Sequence, residues 1–287
     1  MRGAVVIGGA GTVGSWFSAL LRADGWRVTT VDTRGADVLA DVTADGSWAS
    51  ATCRDAELVA FALPEDLVVV AVEAVAAVVG PDTVLVPMSS VQAPLFAKHV
   101  GLECERRIVG CNPMFRPTLA ADGRVVLVVA REDAVDSAVE AVSSTIVAGG
   151  AVVERLDPSQ HDALVAMTQV VPHAALLAVA ASVAASGIDL ALLWRVAPPP
   201  ARVVLAASAR ILESTPHVYV DIQRAPGADI ARASLAEELG RLAAMSAPQM
   251  TEHLIGLRGP LAQLLPEAGA LAAQLYEQTG PREQETA

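Results

Sequence analysis

The 287-residue chain has only one lysine, Lys98, among its 20 basic residues. A Walker-type phosphate loop requires a lysine followed by serine or threonine, and Lys98 is followed by His99, so that class of nucleotide site is excluded. A mechanism that depends on a lysine in the C-terminal half is excluded as well, because no lysine lies there.

Cysteine and aromatic residues are also scarce: there are three cysteines, and 3% of the residues are Phe, Trp or Tyr. Cys53, Cys104 and Cys111 form no Cys-x-x-Cys pair and no Cys/His pair at the spacing of a zinc site. We therefore predict neither a disulfide framework nor a bound metal, and expect three small buried side chains in a reducing cytosol.

The charge balance excludes another group of partners. With 20 basic and 32 acidic residues the formal net charge is −12, which offers no cationic surface to nucleic acid or to anionic lipid. The first residues run directly into glycines rather than through the apolar core of a signal peptide. We therefore expect a soluble, cytoplasmic protein that acts on a small molecule and binds neither nucleic acid nor membrane.

One apolar stretch resembles a membrane span, because residues 163–188 carry no formal charge. Thr168, Gln169, Pro172 and His173 interrupt the middle of this stretch, and its alanines greatly outnumber its leucines. We predict a buried helix instead. Its apolar surface exceeds what one small helical domain can cover, so we also predict a homodimer that buries it.

Hydrophobic patterning divides the chain into two parts. Up to residue 156, short β-branched runs alternate with helical stretches, which is typical of the parallel sheet of a Rossmann-type doubly wound α/β domain. After Asp157-Pro158, alanine- and leucine-rich stretches follow, so residues 157–280 are predicted to form an all-helical domain for dimerisation and substrate binding. Residues 281–287 are polar and are predicted to be a disordered tail.

Individual strands and helices follow from the same patterning. The predicted strands are Ala4–Gly8, Arg27–Asp32, Leu58–Leu63, Thr83–Pro87, Arg107–Cys111, Arg124–Ala130 and Ala151–Arg155. The predicted helices are Thr12–Ala23, Glu65–Val79, Asp133–Val147, Ser159–Ser186, Ala201–Ser214, Asp229–Met245 and Pro248–Thr279, the last of them interrupted at Gly259-Pro260.

The segment after the first predicted strand carries a dinucleotide-binding fingerprint. Its Gly-x-Gly-x-x-Gly sequence allows a tight turn, a close backbone approach to a pyrophosphate and a helix N-terminus that faces the phosphate charge. Asp32 ends the second strand, where a carboxylate accepts the ribose 2′-hydroxyl and repels a 2′-phosphate, although Arg34 follows closely. NAD is therefore the expected cofactor. Its predicted contacts are Gly9, Gly11, Thr12, Val13, Gly14 and Asp32.

Four segments beyond the fingerprint resemble one dehydrogenase family. They are residues 86–92 (Val-Pro-Met-Ser-Ser-Val-Gln), residues 109–117 (Val-Gly-Cys-Asn-Pro-Met-Phe-Arg-Pro), Gln160-His161-Asp162 followed by Gln169 and His173, and Arg202 and Arg210 ahead of Val218-Tyr219-Val220-Asp221-Ile222. They are similar to the Ser-Val-Lys, Gly-x-His-Pro-Met-Phe-Gly-Pro, Glu-His-Asp with Gln-x-x-x-His, and Tyr-Ala-Asp-Ile segments of the prephenate/arogenate dehydrogenase family. The resemblance covers residues 4–225 in consistent order.

This resemblance implies an NAD-dependent oxidative decarboxylation of a cyclohexadiene acid, in which hydride leaves ring carbon C4, CO2 leaves, and the ring becomes aromatic. It implies that Arg210 grips the ring carboxylate and that His173 and Gln169 face the substrate's side chain. Ser90 is expected at the catalytic site, bonded to substrate or to residue 112. The adjacent His161 and Asp162 are expected to be structural and to cap the long helix.

The sequence departs from the family at two positions on the side of the pocket that meets the C4 substituent. The family's histidine, which accepts the C4 hydroxyl proton, is replaced by Asn112, and its lysine is replaced by Gln92. Neither amide can act as a base near neutral pH. An amine at C4 would need no strong base, because its lone pair assists hydride departure and neutral amides can hydrogen-bond it.

Three hypotheses remain open. The first is an enzyme that converts 4-amino-4-deoxyprephenate to 4-aminophenylpyruvate for antibiotic biosynthesis, with Asn112, Gln92 and Ser90 at its catalytic site. The second is a prephenate or arogenate dehydrogenase of tyrosine biosynthesis, in which water or another group is the base. The third is a non-catalytic NAD-binding sensor.

Overall fold

The computed structural model describes residues 2–44, 46–102, 104–214 and 216–279. The chain divides into two compact units, Met1–Val165 and Ala166–Ala287. The first unit is α/β and the second is helical, so the predicted fold class is confirmed. The tail predicted at residues 281–287 lies outside the described residues.

The first unit alternates strands and helices as its patterning predicts. Its strands are β1 (Gly3–Ile7), β2 (Arg27–Asp32), β3 (Val38–Leu39), β4 (Leu58–Phe61), β5 (Val84–Pro87), β6 (Gly110–Pro113), β7 (Val125–Val129) and β8 (Val152–Leu156). Its α-helices are α1 (Thr12–Ala23), α2 (Ser47–Thr52), α3 (Glu65–Ala76), α4 (Ala93–Lys98), α5 (Asp136–Ala148) and α6 (Pro158–Val165). The short β3, α2 and α4 are absent from the sequence prediction because too few residues carry their pattern.

Strands β1 to β5 form a parallel sheet in the order β3-β2-β1-β4-β5, which matches five of the six strands of the doubly wound order. The central strands are continuous apolar runs because helices cover both faces of the sheet. In β1, for example, Val6 packs in one core with Phe17 of α1, whereas Val5 packs in the other core with Val72 of α3. The side chains of one strand thereby hold both helical layers in place.

The sheet continues past β5 through a single parallel bridge between Leu85 and Ile108. Beyond it, β6 pairs antiparallel with β7, and β7 pairs parallel with β8. Because β6 runs in the same direction as β5, its carboxyl end lies at the same sheet edge as the carboxyl ends of β1 and β5. Open α/β sheets bind their ligands at that edge.

The second unit contains only helices among its described residues. They are the π-helical segment Ala166–Val170, α7 (Val171–Ala185), α8 (Leu190–Val196), α9 (Pro199–Leu212), α10 (Pro216–Arg224), α11 (Ala228–Ala244), α12 (Ala247–Gly256) and α13 (Leu265–Gln278). The interruption predicted at Gly259-Pro260 falls between α12 and α13. Helices α8 and α10 are additions to the sequence prediction.

A π-helical turn breaks the long helix that the sequence predicts at Ser159–Ser186. Pro172 explains the irregularity, because proline has no N–H to donate to the carbonyl four residues earlier and its ring clashes with that carbonyl. In the same segment the Val170 carbonyl accepts a hydrogen bond from Gln223 Nε2 of α10 at 2.9 Å.

Helix α7 is apolar along its length, yet none of its residues is fully buried within one chain. By length and composition, Pro158–Ala185 would qualify as a membrane span, with a mean hydropathy of 1.8 and 11% of that window buried. Within one chain α7 is thus largely uncovered, which agrees with the expectation that one helical domain cannot cover this apolar surface by itself.

Candidate active site

The loop between β1 and α1 has the backbone geometry of a phosphate cradle. Gly8 has a φ of +78°, which favours glycine, and a Cβ on Gly14 would lie 2.1 Å from the Gly8 carbonyl oxygen. A side chain at Gly14 would therefore force the loop and α1 apart, and a Cβ on Gly8 would lie 2.1 Å from the Ala62 carbonyl oxygen. The loop can approach a ligand with bare backbone.

The N-terminus of α1 is open toward this loop. Its first helical hydrogen bond runs from Ser15 N to Gly11 O at 2.9 Å, so the N–H groups of Thr12, Val13 and Gly14 have no carbonyl of the preceding turn to bond. No side chain caps the helix, and no acidic residue lies in its first turn. These features fit the negatively charged pyrophosphate of a dinucleotide.

Asp32 is tied directly to the same loop. Its Oδ2 accepts a hydrogen bond from Ala10 N at 3.1 Å, and its Oδ1 accepts one from Thr33 N at 2.7 Å. Oδ1 also accepts from Thr33 Oγ1 at 3.3 Å, whereas Oδ2 retains a lone pair for a ribose hydroxyl. A cavity of about 780 Å³ lies beside the loop, and Arg34 contributes to its lining together with Gly9 and Ala10.

A chain of polar side chains lies at the carboxyl end of β6. Asn112 Nδ2 is 3.0 Å from Nε2 of His161, and Nδ1 of His161 is 2.7 Å from Oδ1 of Asp162. His161 is fully buried and Asn112 is 5% exposed. Asp162 in turn accepts hydrogen bonds from the backbone N–H groups of Gln92 and Ala93, at 2.9 and 3.0 Å.

This arrangement corrects the expectation that His161 and Asp162 cap the long helix. Asp162 instead binds the backbone where α4 begins, and Asp157 performs the capping at the start of α6, with Oδ1 accepting from Ser159 N and Gln160 N. Sequence reasoning placed His161 outside the site. No local pattern signals its place there, because its partner Asn112 is 49 residues away in the chain.

Gln92 is also corrected, because its side chain does not reach the surface of the site. The residue is fully buried, and its Nε2 donates to the Ser89 carbonyl at 2.8 Å. Its Oε1 packs against Gly110, where an added Cβ would lie 2.4 Å away. Gln92 therefore supports the backbone of the β5–α4 segment rather than contacting a C4 substituent.

Ser90 is half-buried after the end of β5, and no hydrogen bond joins it to Asn112 among the described residues. The partner of Asn112 is His161 instead, which corrects one of the two contacts expected of Ser90. Its neighbour Ser89 is the engaged hydroxyl, since Ser89 Oγ donates to Glu65 Oε1 at 3.2 Å.

His173 and Gln169 lie in the second unit, on α7 and in the π-helical segment. The His173 ring packs edge-to-face on Tyr219, with ring centroids 4.9 Å apart. Burial lowers the pKa of His173 below its usual value of 6.5, because the charged ring would lose hydration. At neutral pH this histidine is therefore an uncharged side chain with one N–H and one lone pair.

Arg202 and Arg210 of α9 differ in how firmly other residues of the second unit hold their guanidinium groups. Arg202 stacks over Trp194 at 5.1 Å and donates to the Ala197 carbonyl at 3.0 Å, so its guanidinium is held in place. Arg210 is exposed, and its guanidinium donates a 3.3 Å hydrogen bond to Ser214 Oγ. Arg210 is accordingly the arginine of this pair that is available to a ligand.

Among the residues that the structure describes, no three His, Cys, Asp or Glu side chains converge as a metal site would require.

Comparison with known proteins extends these observations. The helices of residues 157–256 match the family model described as prephenate dehydrogenase, dimerization domain. A curated relative from Streptomyces pristinaespiralis, named 4-amino-4-deoxyprephenate dehydrogenase, is 37% identical over 274 residues, which are 93% of this chain and 92% of that protein.

Two solved structures share the fold. A putative prephenate dehydrogenase from Corynebacterium glutamicum gives a TM-score of 0.70 at 21% identity, covering 94% of this chain and 90% of that one. Prephenate dehydrogenase from Aquifex aeolicus, solved with hydroxyphenyl propionate and NAD+, gives a TM-score of 0.63 at 16% identity, covering 97% of this chain and 98% of that one.

The position of Asp32 predicts the choice of nucleotide. NAD should be preferred over NADP by about tenfold or more in kcat/KM, because the carboxylate accepts a 2′-hydroxyl and repels a 2′-phosphate. Asp32→Ser should remove most of this preference, since Arg34 remains beside the loop. Steady-state rates with both cofactors measure it, with Asp82→Ser, an exposed partner of Arg107, as the control. Equal use of both cofactors by the unaltered protein would contradict this role.

Proposed function

The chain belongs to the prephenate dehydrogenase family, and from this we propose that it catalyses the NAD-dependent oxidative decarboxylation of 4-amino-4-deoxyprephenate to 4-aminophenylpyruvate. The observation that carries the proposal is the neutral Asn112 at the carboxyl end of β6, where the resemblance places the family's proton-accepting histidine. The product would serve as a precursor in antibiotic biosynthesis.

The reaction requires electron density at C4 of the ring. Bound NAD supplies the acceptor for the hydride that leaves C4. The carboxylate on C1 departs as CO2 and leaves its electron pair in the ring, which becomes aromatic. The neutral amine substrate and NAD+ thus give an aromatic amine, CO2 and NADH with no net proton released, whereas a substrate that arrives as the ammonium also loses one proton to water. In both cases the C4 substituent must supply electron density as the hydride leaves.

The two C4 substituents differ in how much help they need from the protein. A hydroxyl oxygen is a weak electron donor, so it benefits from a base that draws its proton away as the hydride leaves. An amine nitrogen donates its lone pair without such help. Asn112 can form hydrogen bonds but has no basic atom. Hydride transfer from the amino substrate is therefore favoured over hydride transfer from the hydroxyl substrate.

The second unit would supply the remaining substrate contacts. We assign the ring carboxylate to Arg210, whose guanidinium can grip a carboxylate with two parallel hydrogen bonds. We assign the side-chain end of the substrate to His173 and Gln169. The lowered pKa of His173 supports a contact through hydrogen bonding rather than through charge.

We further propose that the protein is a homodimer in the cytoplasm, joined through its helical unit. The match to a dimerization domain over residues 157–256 supports this arrangement. So does the apolar surface of α7, which a partner subunit would remove from water. Within this proposal the stretch that resembles a membrane span is the core of an interface, and the substrate is the small-molecule partner.

Substrate preference tests the proposed function directly. We expect kcat/KM for 4-amino-4-deoxyprephenate to exceed that for prephenate by at least about tenfold, equivalent to about 1.4 kcal/mol. NADH formation with each substrate measures the ratio. Turnover of prephenate alone would identify a tyrosine-pathway enzyme, and turnover of neither substrate with NAD still bound would identify a sensor.

A substitution at position 112 should move this preference. Asn112→His supplies a base for the hydroxyl proton, so the ratio should shift toward prephenate by about tenfold. Gln92→Lys, which would restore the family's lysine, is not combined with Asn112→His. A lysine at that fully buried position would bury an unpaired charge and destabilise the fold. An unchanged ratio, with NAD affinity intact, would mean that residue 112 does not meet the C4 substituent.

Removing the proposed carboxylate grip should impair substrate use alone. Arg210→Gln should lower kcat/KM by about 10²-fold, because a charge-assisted hydrogen bond to the substrate is lost, while NAD affinity stays the same. Arg241→Gln, on the surface of α11, is the matched control. Unchanged kinetics in the Arg210 variant would leave Arg210 as a surface residue.

The apolar surface of the helical unit predicts the assembly state. Light scattering at micromolar concentration should give twice the mass of one chain, because α7 is too apolar to stay in water. A monomer under these conditions would refute the proposed interface.

A further inference from the structure

We propose that His161 and Asp162 are positioning residues: they fix which end of the Asn112 amide faces the substrate, and thereby set the preference for a hydrogen-bond donor at C4. The inference rests on the function proposed above, because it takes Asn112 to meet the C4 substituent. It goes further by naming two residues, both within the first unit, that would act only through Asn112.

Asp162 is the anchor of this arrangement. Its Oδ1 accepts from Gln92 N at 2.9 Å, and its Oδ2 accepts from Ala93 N at 3.0 Å. Two backbone donors on opposite oxygens prevent the carboxylate from turning away. The same Oδ1 lies 2.7 Å from Nδ1 of His161, so the imidazole meets an acceptor whose orientation is fixed.

The carboxylate determines where the imidazole carries its proton. A carboxylate oxygen accepts hydrogen bonds, so Nδ1 of His161 must donate, and a neutral ring with its proton on Nδ1 has a lone pair on Nε2. Nε2 is 3.0 Å from Nδ2 of Asn112. The amide nitrogen of Asn112 therefore donates to Nε2 of His161. The Asp162 carboxylate thus sets the direction of both side-chain hydrogen bonds, from His161 to Asp162 and from Asn112 to His161.

One orientation of the Asn112 amide follows. A free asparagine can turn either its NH2 or its carbonyl oxygen toward a ligand, and the two ends have opposite hydrogen-bonding character. Rotating Asn112 by half a turn would set its carbonyl oxygen against the Nε2 lone pair, which leaves two buried acceptors facing each other. His161 thus leaves Oδ1 of Asn112 to accept a hydrogen bond from the ligand.

An acceptor that cannot take a proton discriminates between the two C4 substituents. Oδ1 can accept a hydrogen bond from an amino N–H and so orient the nitrogen lone pair toward the ring. It accepts from a hydroxyl as well, but it cannot remove the hydroxyl proton as the hydride leaves. The fixed amide therefore favours the substituent that needs only orientation.

A double-mutant cycle tests the proposal. His161→Leu keeps the side-chain volume but removes Nε2, and Asn112→Ala removes the amide. With the substrate that the protein turns over, His161→Leu should lower kcat/KM by about tenfold or more while NAD affinity changes by less than about twofold. In the Asn112→Ala background, adding His161→Leu should change kcat/KM by less than about twofold.

His99→Leu is a matched control, because His99 is another buried histidine of the first unit, bonded to the Leu95 carbonyl at 2.7 Å. His99→Leu should leave the ratio of kcat/KM for the amino substrate to kcat/KM for the hydroxyl substrate unchanged. An equal loss from His161→Leu in both backgrounds would show that His161 only supports the fold, and would overturn the proposal. A loss of kcat/KM in Asn112→Ala with no loss in His161→Leu would also overturn the proposal about His161, but it would leave the proposed function standing. An unchanged kcat/KM in Asn112→Ala would overturn both this proposal and the proposed function.

A spectroscopic measurement on the unaltered protein covers the case in which His161→Leu fails to fold. Long-range ¹H–¹⁵N NMR with NAD present should show His161 as the neutral tautomer protonated on Nδ1. Single variants of the other four histidines provide the assignment. A ring protonated on Nε2, or on both nitrogens, would overturn the proposal because Nε2 could no longer accept from Asn112.

Discussion

The hydrogen bond between Asn112 Nδ2 and His161 Nε2 is the interaction on which the chemistry of the candidate site depends. A buried amide with no fixed partner would be ambiguous, since it could offer a donor or an acceptor. The Asp162 carboxylate resolves that ambiguity, and two backbone N–H groups hold it in turn. A site that has lost the family's base thus gains a defined acceptor in its place, which matches a substrate whose own nitrogen supplies the electron density.

The sheet brings these groups to one place. β1, β5 and β6 run in the same direction, so their carboxyl ends lie at the same edge of the sheet. The glycine loop follows β1, the β5–α4 segment follows β5, and Asn112 lies near the end of β6. Asp32 binds the loop at Ala10, which fixes the ribose acceptor relative to the phosphate cradle. The helical unit presents an exposed arginine on α9 and an apolar helix that one chain leaves uncovered.

The parts of this site that sequence predicts are those whose partners are near in the chain. The glycine fingerprint and Asp32 depend on one strand–helix–strand unit, so pattern alone places them. The environments of Gln92 and His161 depend on contacts across 70 and 49 residues, between Gln92 and Asp162 and between Asn112 and His161. No local pattern states that Gln92 points inward at Gly110, or that Asp162 binds α4 rather than the helix that contains it. The π-helical turn is a similar case, because Pro172 predicts a disturbance but not its form.

A crystal structure of the protein with NAD and 4-aminophenyl propionate, the amino counterpart of the ligand in the Aquifex complex, would show whether Asn112 meets the C4 substituent. We expect the amino nitrogen within about 3.2 Å of Asn112 Oδ1, while Nδ2 of Asn112 remains bonded to Nε2 of His161. An amino group that binds away from Asn112, or an Asn112 amide that has left His161, would refute the proposed role of this pair.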